Sequence, residues 1–277
     1  MTGRGLVLGG GGVAGIAWQT GLLAGLAAEG VRLAEADLFI GTSAGSTVAA
    51  QLTSGLPLEE LYRRQVDPAL QTTELPSVVD AEALAEMFGA ATEADPAQLR
   101  ARIGQLALAA RTVPEADRRA VIEARLPVHT WPEADLRIVA VHAGTGAERI
   151  FDRHSGVGLV DAVAASCAVP GSWPPVTIGD ARYVDGGVRS PENADLAAGC
   201  AKVLVVKAMN IPGMNELEAQ VAALEAQGSL VTVTEPDEAS LAAIGVNPLD
   251  PAVREPAAKA GYSQGLRAAA ALAGFWG

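Results

Sequence analysis

Gly41-Thr42-Ser43-Ala44-Gly45 follows the apolar run Leu38-Phe39-Ile40 and leads into a stretch of small and aliphatic residues. Asp37 to Ile40 reads as a short strand, and residues 45 to 54 as a helix stopped by Gly55. A serine between small neighbours at such a junction fits a sharp strand-to-helix turn that presents its hydroxyl outward. The dipole of the following helix would then favour negative charge near that hydroxyl. The same five residues fit a plain small-residue bend, and by themselves they leave both readings open.

Upstream, Gly5 to Leu8 reads as a buried strand and Gly15 to Glu29 as a helix ended by Gly30. Between them, Gly10, Gly12 and Gly15 have the G-x-G-x-x-G spacing of a dinucleotide loop. That rival, an NAD-dependent oxidoreductase, requires an acidic residue at the end of the next strand to hold a ribose. The end of that strand carries Gly41-Thr42-Ser43, and Asp37 stands at its beginning. A glycine loop whose amides converge on one point serves equally as an oxyanion hole, with Gly10, Gly11 and Gly12 as the donors.

The chain of 277 residues is 49% hydrophobic, enough for a sizeable core and against global disorder. Its net charge of −12, with no Lys/Arg-rich block, argues against nucleic acid and against electrostatic docking on anionic lipid. Apolar, transient contact with a membrane surface stays open. Two cysteines, Cys167 and Cys200, give neither a disulfide framework nor CxxC spacing, and three scattered histidines make a metal site a poor reading. No cofactor is expected. Gly5 to Ala28 holds no charged residue and superficially resembles a signal peptide or membrane span. Four consecutive glycines, Gly9 to Gly12, and Gln19 argue for a buried βα unit instead, hence no transmembrane segment and a cytoplasmic protein.

Residues 57 to 126 are charged, strand-poor and helical. Asp95-Pro96 is a cap followed by proline, with Leu99, Ile103, Leu106 and Ala110 on one face. Thr112 and Glu115 have capping-box spacing. Hairpins are expected at Leu136 to His142 with Arg149 to Asp152, and at Val176 to Ile178 with Ala181 to Val184. A helix at Leu159 to Cys167, a strand at Val203 to Lys207, a helix at Glu216 to Gln227 and a strand at Leu230 to Thr234 complete the pattern, with further helices to the C-terminus. This alternation predicts an α/β fold with a mixed, largely parallel sheet flanked by helices.

A serine nucleophile requires a base. His129, His142 and His154 all precede Asp185-Gly186-Gly187 and no histidine follows, which rules out a Ser-acid-His order with Asp185 as the acid. Each histidine reads as structural. The remaining arrangement is a carboxylate acting on Ser43 directly, and Asp185 is the best candidate, at a strand end before two glycines. An ordinary Asp-Gly turn fits the same residues.

Taken together, Gly10-Gly11-Gly12-Val13-Ala14-Gly15, Gly41-Thr42-Ser43-Ala44-Gly45 and Asp185-Gly186-Gly187 resemble the three ordered motifs of patatin-like phospholipases. Ala165-Ser166-Cys167-Ala168-Val169-Pro170-Gly171 and Pro174-Pro175-Val176 resemble that family's run into its Asp-Gly-Gly motif. The resemblance covers about residues 5 to 208, broken by the helical stretch. It implies one patatin-like domain over 1–277 with a helical insertion at about 57–126. It also implies catalysis by Ser43 and Asp185 on acyl esters of lipids, without a metal. A non-catalytic lipid-binding module of the same fold is the alternative. Family members often carry Arg or Lys where this chain has Ala14, and Arg189 is the candidate to replace that charge. The 57–126 stretch and Trp173-Pro174-Pro175 either shape an apolar acyl groove or pack as ordinary core.

Overall fold

The computed structural model describes residues 1–76, 95–210 and 215–277. Its centre is one eight-stranded sheet. The strands are β1 (Arg4–Leu8), β2 (Leu38–Thr42), β3 (Asp135–His142), β4 (Glu148–Phe151), β5 (Val176–Ile178), β6 (Ala181–Asp185), β7 (Lys202–Val206) and β8 (Leu230–Thr234). They run in the order β5-β6-β3-β2-β1-β7-β8, with β4 also paired to β3. From β3 through β2, β1 and β7 to β8 the pairing is parallel, whereas β4, β5 and β6 join antiparallel. This is the mixed, mostly parallel sheet that the alternation of elements predicts.

The uninterrupted apolar character of β1, β2 and β7 follows from their burial on both faces. Successive side chains alternate between two cores. Leu6, Leu8, Phe39 and Ile138 face one side, against α1 (Gly12–Ala28), α2 (Ala44–Leu52), α6 (Leu159–Ser166) and α9 (Arg254–Trp276). Val7, Ile40, Val139 and Val205 face the other, against Ala194, Ala197 and the buried leucines of α7 (Glu216–Ala226). β8 is an edge strand with Leu230 exposed. α8 (Glu238–Ile244) joins it to α9. Among the described residues, no helix is long and apolar enough to cross a membrane.

Between β2 and its parallel neighbour β3 lie α2, α3 (Leu58–Val66), α4 (Pro96–Ala109) and α5 (Glu115–Arg125). Residues 77–94 of the expected helical insertion fall outside the described residues. Asp95 caps α4 as expected, accepting from the Ala97 amide at 2.9 Å. One local expectation is refined and another fails. Gly104 and Ala107 are the buried residues of α4, while Leu99, Ile103, Leu106 and Ala110 are half-buried. The close approach of α4 to β3 explains this, since a Cβ on Gly104 would sit 2.0 Å from the Ala143 carbonyl oxygen. The Thr112/Glu115 capping box does not form, because the helix starts at Glu115 with Pro114 as its cap residue, and Glu115 instead accepts from the Thr177 amide and hydroxyl at 2.6 and 3.0 Å. α1 also begins at Gly12, three residues earlier than the glycine content suggests.

Candidate active site

The chain passes from β2 to α2 within one residue. Ser43 takes φ 52° and ψ −118°, a conformation that costs a residue bearing a Cβ about 1–3 kcal/mol unless its surroundings hold it. Two bonds do so. Its amide donates to Ser166 Oγ at 2.9 Å, and Cys167 Sγ donates to its carbonyl oxygen at 3.1 Å. Both partners stand where α6 ends, in the Ala165-Ser166-Cys167 run. The flanking glycines are imposed by contact. A Cβ on Gly45 would lie 1.9 Å from the Leu8 carbonyl oxygen, and one on Gly41 2.5 Å from Ser46 Cα.

Asp185 ends β6. Thr42 is opposite Val139 and Asp185 is opposite Ala140, and with β4 on the other edge of β3 at both places, β2 and β6 meet end to end along one edge and bring Ser43 beside Asp185. Gly186 follows because a Cβ there would meet the Val139 carbonyl oxygen at 2.3 Å. Asp185 Oδ1 accepts from the Gly187 amide at 2.7 Å. Oδ2 is buried with no hydrogen-bond partner among the described residues. The Ser43 hydroxyl favours the carboxylate, although no regular hydrogen bond joins the two side chains. Such contacts commonly tighten only when substrate is bound. Burial pushes the Asp185 carboxyl up to about 7, against the opposing pull of the Ser43 hydroxyl, the Gly187 amide and the more distant Arg118. A group poised there can take and return a proton near neutral pH.

The glycine loop borders the serine, since a Cβ on Gly10 would come 3.6 Å from Ser43 Cβ. One expected donor drops out. The Gly10 amide already donates to the Pro191 carbonyl oxygen at 2.9 Å, because the loop is pinned to the chain after β6. The Gly11 and Gly12 amides have no acceptor among the described residues. Gly15 continues the first turn of α1, its amide bonded to Gly11 O at 2.7 Å. Ala14 is buried, and its amide donates to Pro248 O at 2.9 Å.

Arg189 does not take up the missing loop charge. Its guanidinium is held by Glu148, Asp195 and Asn193. Among the arginines that share a pocket with the serine is Arg118 of α5. It lines an open pocket of about 290 Å³ together with Ser43, Gly12, Cys167, Trp173 and Leu249. Its guanidinium lies 3.8 Å from the centre of the Trp173 ring. The stretch expected as an acyl groove therefore supplies both an aromatic wall and a cation.

Asn193 is a further residue that the motifs do not indicate. Buried and in the left-handed region (φ 56°), it donates to Thr42 Oγ1 at 2.9 Å and to Ser190 O at 2.6 Å. It thereby ties the end of β2 to the turn after Asp185. Its only sequence signal is that asparagine tolerates this conformation better than most residues. The histidines lie elsewhere: His142 Nδ1 accepts from the Gly144 and Thr145 amides, His129 contacts Glu123, and His154 sits in a turn closed by Asp152.

Comparison with known proteins follows the same lines. The sequence model of the family described as patatin-like phospholipase matches residues 6–198, well over half of the chain. No curated protein matches the sequence significantly. Among solved structures, VipD from Legionella pneumophila is similar over 98% of this chain and 67% of its own, with a TM-score of 0.50 and 14% identity. The type III effector protein ExoU aligns with 96% of this chain at a TM-score of 0.37 and 18% identity, and the chain spans 53% of it. At that level of identity the likeness to VipD is one of fold.

Proposed function

The chain belongs to the patatin-like phospholipase family, and from that premise we propose that it is a serine acyl hydrolase cleaving carboxylic esters of lipids through Ser43 and Asp185. The observation that carries the reading is the meeting of a serine in a strained turn with a buried carboxyl raised to about 7. Family membership supports a lipid hydrolase in general, and the dyad is the finer proposal.

In the proposed reaction the Asp185 carboxylate takes the Ser43 hydroxyl proton as Oγ attacks the ester carbonyl. The resulting oxyanion is received by the free amides of Gly11 and Gly12 at the start of α1. Protonated Asp185 then gives its proton to the departing alcohol as the C–O bond breaks, leaving an acyl-serine. Asp185 next takes a proton from water, whose oxygen attacks the acyl carbon. Release of the carboxylic acid, with the proton returned to Ser43 Oγ, restores the site.

A fluorophosphonate probe tests the proposal. Covalent labelling of the wild type at Ser43, absent in Ser43→Ala, is the expected result. An unlabelled, folded wild type would favour the non-catalytic lipid-binding alternative.

A further inference from the structure

Beside Ser43 the structure concentrates positive charge that the proposed acyl chemistry does not use. Glu74 is surrounded by three arginines. Its Oε1 accepts from Arg125 Nε at 3.0 Å and Arg254 Nη2 at 2.6 Å, while Oε2 accepts from Arg125 Nη2 at 2.5 Å. Arg118 Nη1 stands 3.5 Å from Oε2. Burial alone would raise the Glu74 carboxyl, but Arg125, Arg118 and Arg254 hold it below the usual range. Among the described residues, three guanidinium charges face one carboxylate, a net charge of +2 in a poorly solvated place, which is costly without a further anion.

Arg118 marks where that anion would bind. It is 6% exposed, and its Nε and Nη1 have no hydrogen-bond partner among the described residues. Stacking on Trp173 fixes the guanidinium plane and leaves its donor edge free. The Ser43 pocket is lined by Arg118 and Arg125. A second pocket of about 380 Å³ is lined by Arg125 and Arg254 and shares Val13 and Ile16 with the first. No Asp or Glu lines either pocket among the described residues. Asp185 is the remaining acid that acts on Arg118 from the dyad side.

We propose that Arg118, Arg125 and Arg254 form an anion subsite beside Ser43 that takes the phosphate group of a phosphorylated ester substrate, with Glu74 as its internal counter-ion. The residual charge matches a phosphate dianion, and planar guanidinium forks match phosphate oxygens. The identity of the anion as part of the substrate rests on the acyl-hydrolase reading. The existence of the subsite does not.

The test has two arms. In the first, inorganic phosphate is titrated by calorimetry into the Ser43→Ala protein. Saturable binding is expected, weakened about tenfold or more by adding Arg118→Gln. It should tighten in Glu74→Gln, where a competing carboxylate is removed. Tightening cannot arise from misfolding, so this variant decides even if Arg118→Gln fails to fold. Absence of phosphate binding, or Glu74→Gln binding no more tightly, overturns the subsite. In the second arm the wild type is offered short-chain phosphatidic acid and the matching neutral diacylglycerol, both monomeric. A higher kcat/KM for the phosphatidic acid, with inorganic phosphate inhibiting competitively, supports the substrate assignment. Equal kcat/KM values overturn it and leave free phosphate as the ligand. If neither ester is cleaved, the acyl-hydrolase reading fails while the first arm still decides the subsite.

Discussion

The Ser166 hydroxyl receives the Ser43 amide hydrogen at 2.9 Å, joining the end of α6 to the strained turn between β2 and α2. Replacing Ser166 by Ala would leave that buried amide unpaired, a cost of about 1–3 kcal/mol. Ser166→Ala is therefore expected to lower stability by that amount in chemical denaturation and to reduce kcat with little change in KM. A kcat equal to wild type would mean that the turn holds its shape without this bond.

The raised carboxyl of Asp185 gives two opposite expectations for pH. If its charged form is the base, kcat/KM for a neutral ester rises with pH through about 7 and then levels. Asp185→Asn should cost about 10²–10⁴ in rate. Stability runs the other way. An acid whose folded pKa lies above its unfolded value stabilises the fold below the unfolded pKa, and that contribution is lost as pH rises through about 7. Asp185→Asn should thus flatten the decline and be more stable than wild type at pH 8. Thermal melts of both proteins from pH 5 to 8 check this. Glu192, also pushed to about 7 by burial, contributes equally to both proteins and cancels in the difference.

Gly45→Ala places a methyl carbon 1.9 Å from the Leu8 carbonyl oxygen, inside the contact of α2 with β1. The backbone must move to accept it, so the variant is expected to misfold or to lose several kcal/mol. Native-like melting of the purified variant would contradict the packing described.

Arg189 is bonded to Glu148, Asp195 and Asn193 and is mostly buried. Arg189→Ala is expected to lower stability by roughly 1–3 kcal/mol, through lost charge-assisted bonds. It should leave kcat/KM on a short-chain ester within a few-fold of wild type. A large loss in kcat at unchanged stability would return Arg189 to the role of loop cation.

Much of this arrangement is legible along the chain because it is local. Apolar runs give β1, β2 and β7, turn residues give both hairpins, and the glycines around Ser43 and after Asp185 mark places where backbones touch. What escapes is set by distance in sequence. Glu74 meets Arg125 across 51 residues and Arg254 across 180, so nothing near any one of them announces the cluster. Glu115 has the spacing of a helix cap but accepts instead from Thr177, 62 residues away. Gly10 lies in a donor-rich loop, yet its amide is taken by Pro191, which no local pattern indicates. Ser166 and Cys167 sit in a recognisable run, but only the fold brings them to the two backbone groups of Ser43.

Because the ends of β2 and β6 meet along one edge of β3, with β4 on the other edge, the separation of Ser43 and Asp185 is metered by the hydrogen-bonded lattice of β3, which rises roughly 3.3 Å per residue. The long excursion between β2 and β3 begins and ends on that lattice without interrupting it. It can therefore lengthen, shorten or change its charge while the serine and the carboxylate keep their separation. In this architecture the separation of the two side chains belongs to the sheet and part of the pocket wall around them to the excursion, so each can vary without disturbing the other.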